Sequence, residues 1–177
     1  MTSRIHSLSF VLALLTALPA MTQAALPHVE QLAPGVFAAG FADRYGSANC
    51  GWVALADHTM LIDLPHGVDV AEFLAEVEKS SGKPPRSFVL TRAHEADSEF
   101  LGALQRRGLR KITTADERDS IGDATTLIEF IPYGKASGQI GGAVFLPQAK
   151  VLFAGPASVN GPRAKLPGSD ITAWIWA

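Results

Sequence analysis

Near Val70 the apolar residues change their spacing, and that change constrains the chain more than any other feature. Upstream, "CGWVALA" and "TMLIDL" are strand-length apolar runs parted by Asp57-His58, the pattern of a hairpin. Downstream, in "VDVAEFLAEVEKSSG", the residues Val70, Phe73, Leu74 and Val77 fall at i, i+3, i+4 and i+7. That spacing lines one face of an amphipathic helix, and Gly82 stands where a helix C-cap belongs. "RSFVLTR" returns to strand. "SEFLGALQRRG" then reads as a second helix, capped by Ser98, closed by Gly108, with Phe100, Leu101 and Leu104 as its buried face.

Further short strands are expected at "PGVFAAGF", before the hairpin, and at "KITT", "TLIEFIP", "GGAVFLP" and "VLFAG" after the second helix. The predicted order is β-β-β-α-β-α-β-β-β-β, in which hairpins mix with helical crossovers. Such an order implies a layered α/β or α+β domain with a mixed sheet and helices over at least one face. At 177 residues the chain is long enough for one domain with a full core.

The first stretch stands apart from this pattern. "MTSRIHSLSFVLALLTALPAMTQA" has a basic start at Arg4, an apolar run from Leu8 to Ala20, and small residues at Thr22-Gln23-Ala24. That run is shorter than the ~20 residues of a membrane span, and residues 1–24 read as a cleavable signal peptide cut after Ala24. The expectation is a periplasmic or secreted protein, with no membrane span after cleavage and one domain over residues 25–177. Cleavage removes one of the 15 Lys+Arg and none of the 17 Asp+Glu, moving the formal charge from −2 to −3. Neither sign is clustered enough along the sequence to point to nucleic acid or an anionic membrane as a partner. Cys50 is the sole cysteine, so no disulfide forms within the chain, and its place in an apolar strand reads as a buried small residue. No G-x-S-x-G elbow, P-loop or C-x-x-C occurs.

The chain ends in "GSDITAWIWA", a cap at Ser169 or Asp170 followed by about two turns of an aromatic helix. Trp174 and Trp176 are costly to leave in water. Either this end packs back on the sheet or the sequence is a fragment, and the fragment reading is preferred. Dimerisation across the Trp174/Trp176 end is a further way to cover it.

In order along the chain, "LAPGVFAAG", "SANCGWVAL", "MLIDLP", "SFVLTRAHEAD", "GGAVFLPQAKVLFAGP" and "NGP" resemble the successive motifs of the metallo-β-lactamase superfamily, over roughly residues 30 to 175. The resemblance implies an αβ/βα sandwich, incomplete here at its C-terminal end, with one or two zinc ions between the sheet edges. Family members carry T-H-x-H-x-D-H after a strand, because imidazoles and a carboxylate must converge on zinc at about 2.0–2.2 Å.

Here the matching loop is Thr91-Arg92-Ala93-His94-Glu95-Ala96-Asp97. Arg92 replaces the first histidine, His94 matches the second, Ala96 stands for the aspartate, and Asp97 for the last histidine. Ser137 falls at the family's next ligand histidine, and Pro156 at the aspartate of its V-L-F-A-G-D motif. Arg92 has no lone pair to offer, and is free to pair with Asp97 or Glu95 instead. His94 and Asp97 are thus the candidate metal ligands of a remnant site, and His66 in "DLPHG" is a candidate binding residue near its mouth. His28 and His58 read as solvated loop histidines. Asp63 matches a family aspartate that is mainly structural, and a bracing role is expected of it.

The functional expectation is an exported, non-catalytic protein of this fold that binds an unknown small molecule or protein, or acts as a scaffold, with no cofactor. The alternative is a metal-dependent hydrolase of ester, thioester or lactam substrates, with zinc held by His94, Asp97, His66 and groups outside this sequence.

Overall fold

A computed structural model describes residues 28–43, 46–65, 68–91, 98–112, 119–132 and 141–155. In chain order they form β1 (His28–Ala33), β2 (Val36–Asp43), β3 (Gly46–Ala54), β4 (Thr59–Ile62), α1 (Val70–Ser81), β5 (Pro85–Val89) and α2 (Ser98–Arg106). β6 (Arg110–Lys111), β7 (Asp119–Ser120), β8 (Glu129–Pro132), β9 (Gly142–Leu146) and β10 (Val151–Phe153) follow. Strands β1 to β6 make one mixed sheet in sequence order, and β10-β9-β8-β7 make a second, antiparallel sheet. The first four strands run antiparallel, while β4-β5 and β5-β6 are parallel because α1 and α2 carry the chain back between them.

The central strands are apolar along their whole length because both of their faces are covered. All four residues of β4 are buried, and its neighbours alternate between two cores. Trp52, Leu61 and Phe88 point toward the helices, whereas Val53, Met60, Ile62 and Val89 point toward the second sheet. The result is three layers, with the six-stranded sheet in the middle.

α1 starts where Asp69 accepts hydrogen bonds from the backbone N–H groups of Ala71 (2.8 Å) and Glu72 (3.0 Å). It ends at Gly82, whose left-handed φ of 71° ends the helix as the sequence predicts. Its buried residues Phe73 and Val77 lie over Trp52, which is fully buried. The indole stacks on Phe37 at 6.0 Å and meets the edge of Phe73 at 6.0 Å, and its N–H donates to Ser80 Oγ at 3.0 Å. Phe73 in turn contacts Phe100 of α2, so one aromatic chain joins sheet and both helices. Truncating Trp52 to alanine removes an anchor of the kind that costs about 3–5 kcal/mol.

The second core needs room as well as apolar side chains. A Cβ at Gly51 would overlap the ring of Phe153, and one at Gly142 would overlap that of Phe130. Gly51 thus makes room for a ring of the second sheet against the middle one, and Gly142 lets the Phe130 ring lie over the neighbouring strand of its own sheet.

Two strands were not foreseen. β1 has exposed or half-buried side chains throughout, with no alternation to reveal it, and it lies at the edge of the sheet. β7 is only two residues long. "PGVFAAGF" is therefore the second strand, and "KITT" contributes only Lys111 to a strand that starts at Arg110. His28 is an exposed residue of β1, not a loop histidine. His58 is also corrected. Its side chain is half-buried, with Nδ1 at 2.7 Å from Asp57 Oδ1 and Nε2 at 3.1 Å from Ser87 Oγ. The signal peptide 1–24 and the Trp174/Trp176 end lie outside the described residues.

At the lower end, that of the β3–β4 turn, Asp123 ties the two sheets together. Its Oδ2 accepts from the Ala56 N–H of the β3–β4 turn at 2.7 Å, and its Oδ1 accepts from the Thr125 and Thr126 N–H groups, both at 2.8 Å. The bond from Ala56, joined by those from Thr125 and Thr126, holds this carboxyl far below the usual carboxylate range, although burial opposes the shift. A depressed folded pKa means the tie stabilises the fold at pH values above the unfolded pKa of about 4, and is lost as pH falls through the lower folded value. Asp123→Asn is therefore expected to flatten the acid limb of a stability–pH curve measured by urea unfolding between pH 6 and pH 2, with a cost of about 1 kcal/mol at pH 6 that vanishes in acid.

Candidate functional site

β4 and β5 are parallel, so their C-terminal ends emerge side by side at the upper end of the sandwich. Asp63 follows β4 directly and adopts φ 55°, a left-handed conformation that aspartate tolerates better than most residues. Its N–H donates to Val89 O at 3.0 Å. The turn aims its carboxylate at Thr91, the last described residue before the 92–97 loop. Oδ1 accepts the Thr91 N–H at 2.8 Å, and Oδ2 accepts the Thr91 hydroxyl at 2.6 Å. Both are charge-assisted bonds, stronger than neutral ones. The bracing role expected of Asp63 thus has a partner, which the sequence did not name.

Thr91 is fully buried and reaches the other sheet too. Its carbonyl accepts the N–H of Gly142, the first residue of β9, at 2.9 Å. Gly155, two residues beyond β10, has φ +52°, and a Cβ there would overlap Thr91 Oγ1. Residues 63, 91, 142 and 155 are thus neighbours of one junction, and the stretches that adjoin them in the sequence carry His66, His94, Asp97, Ser137 and Pro156. Those residues, with Arg92, Glu95 and Ala96, lie outside the described residues.

Cys50 sits level with Asp63, since Gly51 pairs with Ile62 across β3 and β4. It is 2% exposed. Burial pushes its thiol pKa well above the ordinary value, and the Asp63 carboxylate pushes it further. The group stays a neutral thiol and acts as a small packing residue, as the sequence implies. Among the described residues, no three of His, Cys, Asp and Glu gather as a metal group. A pocket of about 290 Å³ between Pro34, Val53, Thr126 and Leu146 lies at the opposite, lower end and is lined by no titratable side chain.

The whole arrangement of strands and helices has counterparts among solved structures. Over 85% of this chain it is similar to the DIM-1 metallo-β-lactamase, with a TM-score of 0.67, 18% identity and 80% of that chain covered. The fold is that of the metallo-β-lactamases. The metallo-β-lactamase from Pontibacter korlensis matches over 84% of this chain and 81% of its own, with a TM-score of 0.65 and 18% identity. The FIM-1 metallo-β-lactamase from Pseudomonas aeruginosa, in its mono-zinc form, matches over 86% of this chain and 80% of its own, with a TM-score of 0.66 and 16% identity. No protein-family model and no curated protein matches the sequence. The metallo-β-lactamase fold accounts for the junction's position, where ends of both sheets meet.

Gly155 and Gly82 provide an internal control for the junction, because both have positive φ but only Gly155 touches Thr91. Gly82→Ala is expected to cost about 1 kcal/mol from backbone strain alone. Gly155→Ala adds an overlap of the kind that costs a further 1–3 kcal/mol or so, read as the difference between the two midpoints in urea.

Proposed function

We propose that this is an exported protein of metallo-β-lactamase fold that has lost its metal chemistry and serves as a binding or scaffold domain for a small molecule or protein. The donor set carries the reading. Of the first-half ligand positions only His94 keeps its residue, with Asp97 as a possible carboxylate substitute in type, while Arg92, Ala96, Ser137 and Pro156 hold the rest. A guanidinium offers no lone pair and brings a positive charge, alanine has no donor, and proline has neither donor nor acceptor. Two side chains fall short of the three or four that a zinc site needs, so the residues present do not fit the ion. The basic start, apolar run and small-residue cleavage site of residues 1–24 support export. No described helix is long and apolar enough to cross a membrane.

The Asp63–Thr91 clamp is compatible with this reading, since it orders the strand end without using any ligand position. The frame of a site persists where the chemistry has been replaced. The test is elemental analysis of the full chain purified without added metal, paired with an assay on a chromogenic lactam and a thioester. Zinc well below one equivalent, and no turnover that EDTA abolishes, is the expected result. One or two equivalents of zinc, with EDTA-sensitive turnover lost in His94→Ala, would instead establish a hydrolase built on His94, Asp97 and His66.

A further inference from the structure

Four of the 15 Lys+Arg stand within six residues, in "RRGLRK" from Arg106 to Lys111. Along the sequence neither sign is clustered enough to point to an anionic membrane, yet these four neighbours all reach water at one corner of the fold. α2 ends at Arg106, Gly108 turns the chain with φ +82°, and β6 is the edge strand of the six-stranded sheet. Arg106, Arg107, Arg110 and Lys111 are all exposed. The ion pairs among the described residues involve Asp57, His58, Glu76, Lys79 and Arg86, and none of these four.

The corner is also held in place. The Arg107 N–H donates to Leu104 O at 3.0 Å, Gly108 N–H to Gln105 O at 2.9 Å, and Leu109 N–H to Leu104 O at 3.1 Å. Leu109 is 6% exposed and anchors the turn in the core beneath the helices, while the Ile112 N–H fixes the end of β6 on Phe88 O at 2.8 Å. Part of this charge answers the negative C-terminal end of α2, a role that Arg106 and Arg107 suffice to fill. Arg110 and Lys111 on the strand edge are left over. Two charges at a sheet edge also discourage edge pairing, yet that needs no contiguous run through the turn.

We propose that the α2–β6 corner is a docking surface for the phosphate headgroups of an anionic lipid layer. Four exposed cations spread over a helix end, a turn and a strand edge suit a broad array of anions better than one enclosed small anion. Leu109 is turned inward, Phe88 beside Lys111 is fully buried, and Phe100 packs against Phe73, so among the described residues this corner offers no exposed ring on which nucleic-acid bases would stack. The choice of lipid over nucleic acid also rests on the export reading. Binding of this kind is electrostatic, worth about fivefold in affinity per Lys or Arg near the surface, and is screened once salt shortens the Debye length to about 3 Å at 1 M.

The test is co-sedimentation of the full chain with vesicles of phosphatidylcholine alone or mixed with phosphatidylglycerol, at low salt and at 1 M. Because the leader carries Arg4 and itself favours anionic vesicles, the readout is the change from parent chain to variant on the mixed vesicles. Binding that requires phosphatidylglycerol and disappears at 1 M salt is expected. Arg107→Gln with Arg110→Gln should weaken it about 25-fold, while Arg107→Lys with Arg110→Lys stays within a few fold, circular dichroism confirming that both variants are folded. Equal binding to both vesicle types, or an unchanged glutamine variant, overturns the proposal. Displacement from vesicles by millimolar inorganic phosphate would show a free-anion site instead, and tighter binding to a single-stranded oligonucleotide a nucleic-acid surface. Either result also overturns it, and neither bears on whether the metal site is lost.

Discussion

The carboxylate of Asp63 closing on Thr91 is the interaction on which the upper end of the molecule depends. It takes a residue in a left-handed turn and uses both of its oxygens on one neighbour. Through Thr91 it reaches Gly142 and Gly155, and so joins a parallel pair of strands in one sheet to two strands of the other. Asp123 makes the matching tie at the lower end. Between the two ties the sheets meet in a closely packed apolar core, and Gly51 leaves room there for the Phe153 ring.

The middle sheet supplies most of the frame. Its central strands are buried on both faces, and the aromatic chain of Phe37, Trp52, Phe73 and Phe100 binds them to α1 and α2. None of these residues occupies a ligand position in the family pattern. Both cores and both ties are built from residues other than the candidate ligand positions. In a scaffold of this kind stability and site chemistry rest on different residues.

Much of the fold was legible because strong patterns carried it. The 3.6-residue period of Val70, Phe73, Leu74 and Val77, ended by Gly82, specified α1, and the apolar runs around Trp52, Leu61 and Phe88 specified the central strands. β1 was missed because an edge strand with Glu30, Gln31 and Leu32 in water shows no alternation. His58 was misjudged because its partner Ser87 is 29 positions away, a distance that no local pattern bridges. The site was legible only as a motif. The "LTR" and "LID" pieces marked Thr91 and Asp63 as strand ends, but their mutual bond is a long-range contact. The basic corner shows the reverse: the residues are adjacent in sequence, and only the fold shows that all four face water.

The central claim, that Asp63 and Thr91 form one clamp, is tested most directly by a double-mutant cycle. Asp63→Gly removes the carboxylate while keeping the left-handed turn accessible, and Thr91→Val removes the hydroxyl at nearly constant shape. Urea unfolding of the two single variants and the double variant should give a coupling of about 1–3 kcal/mol, the double costing less than the sum of the singles. Additivity to within about 0.5 kcal/mol would show that the two residues act independently and would contradict this account.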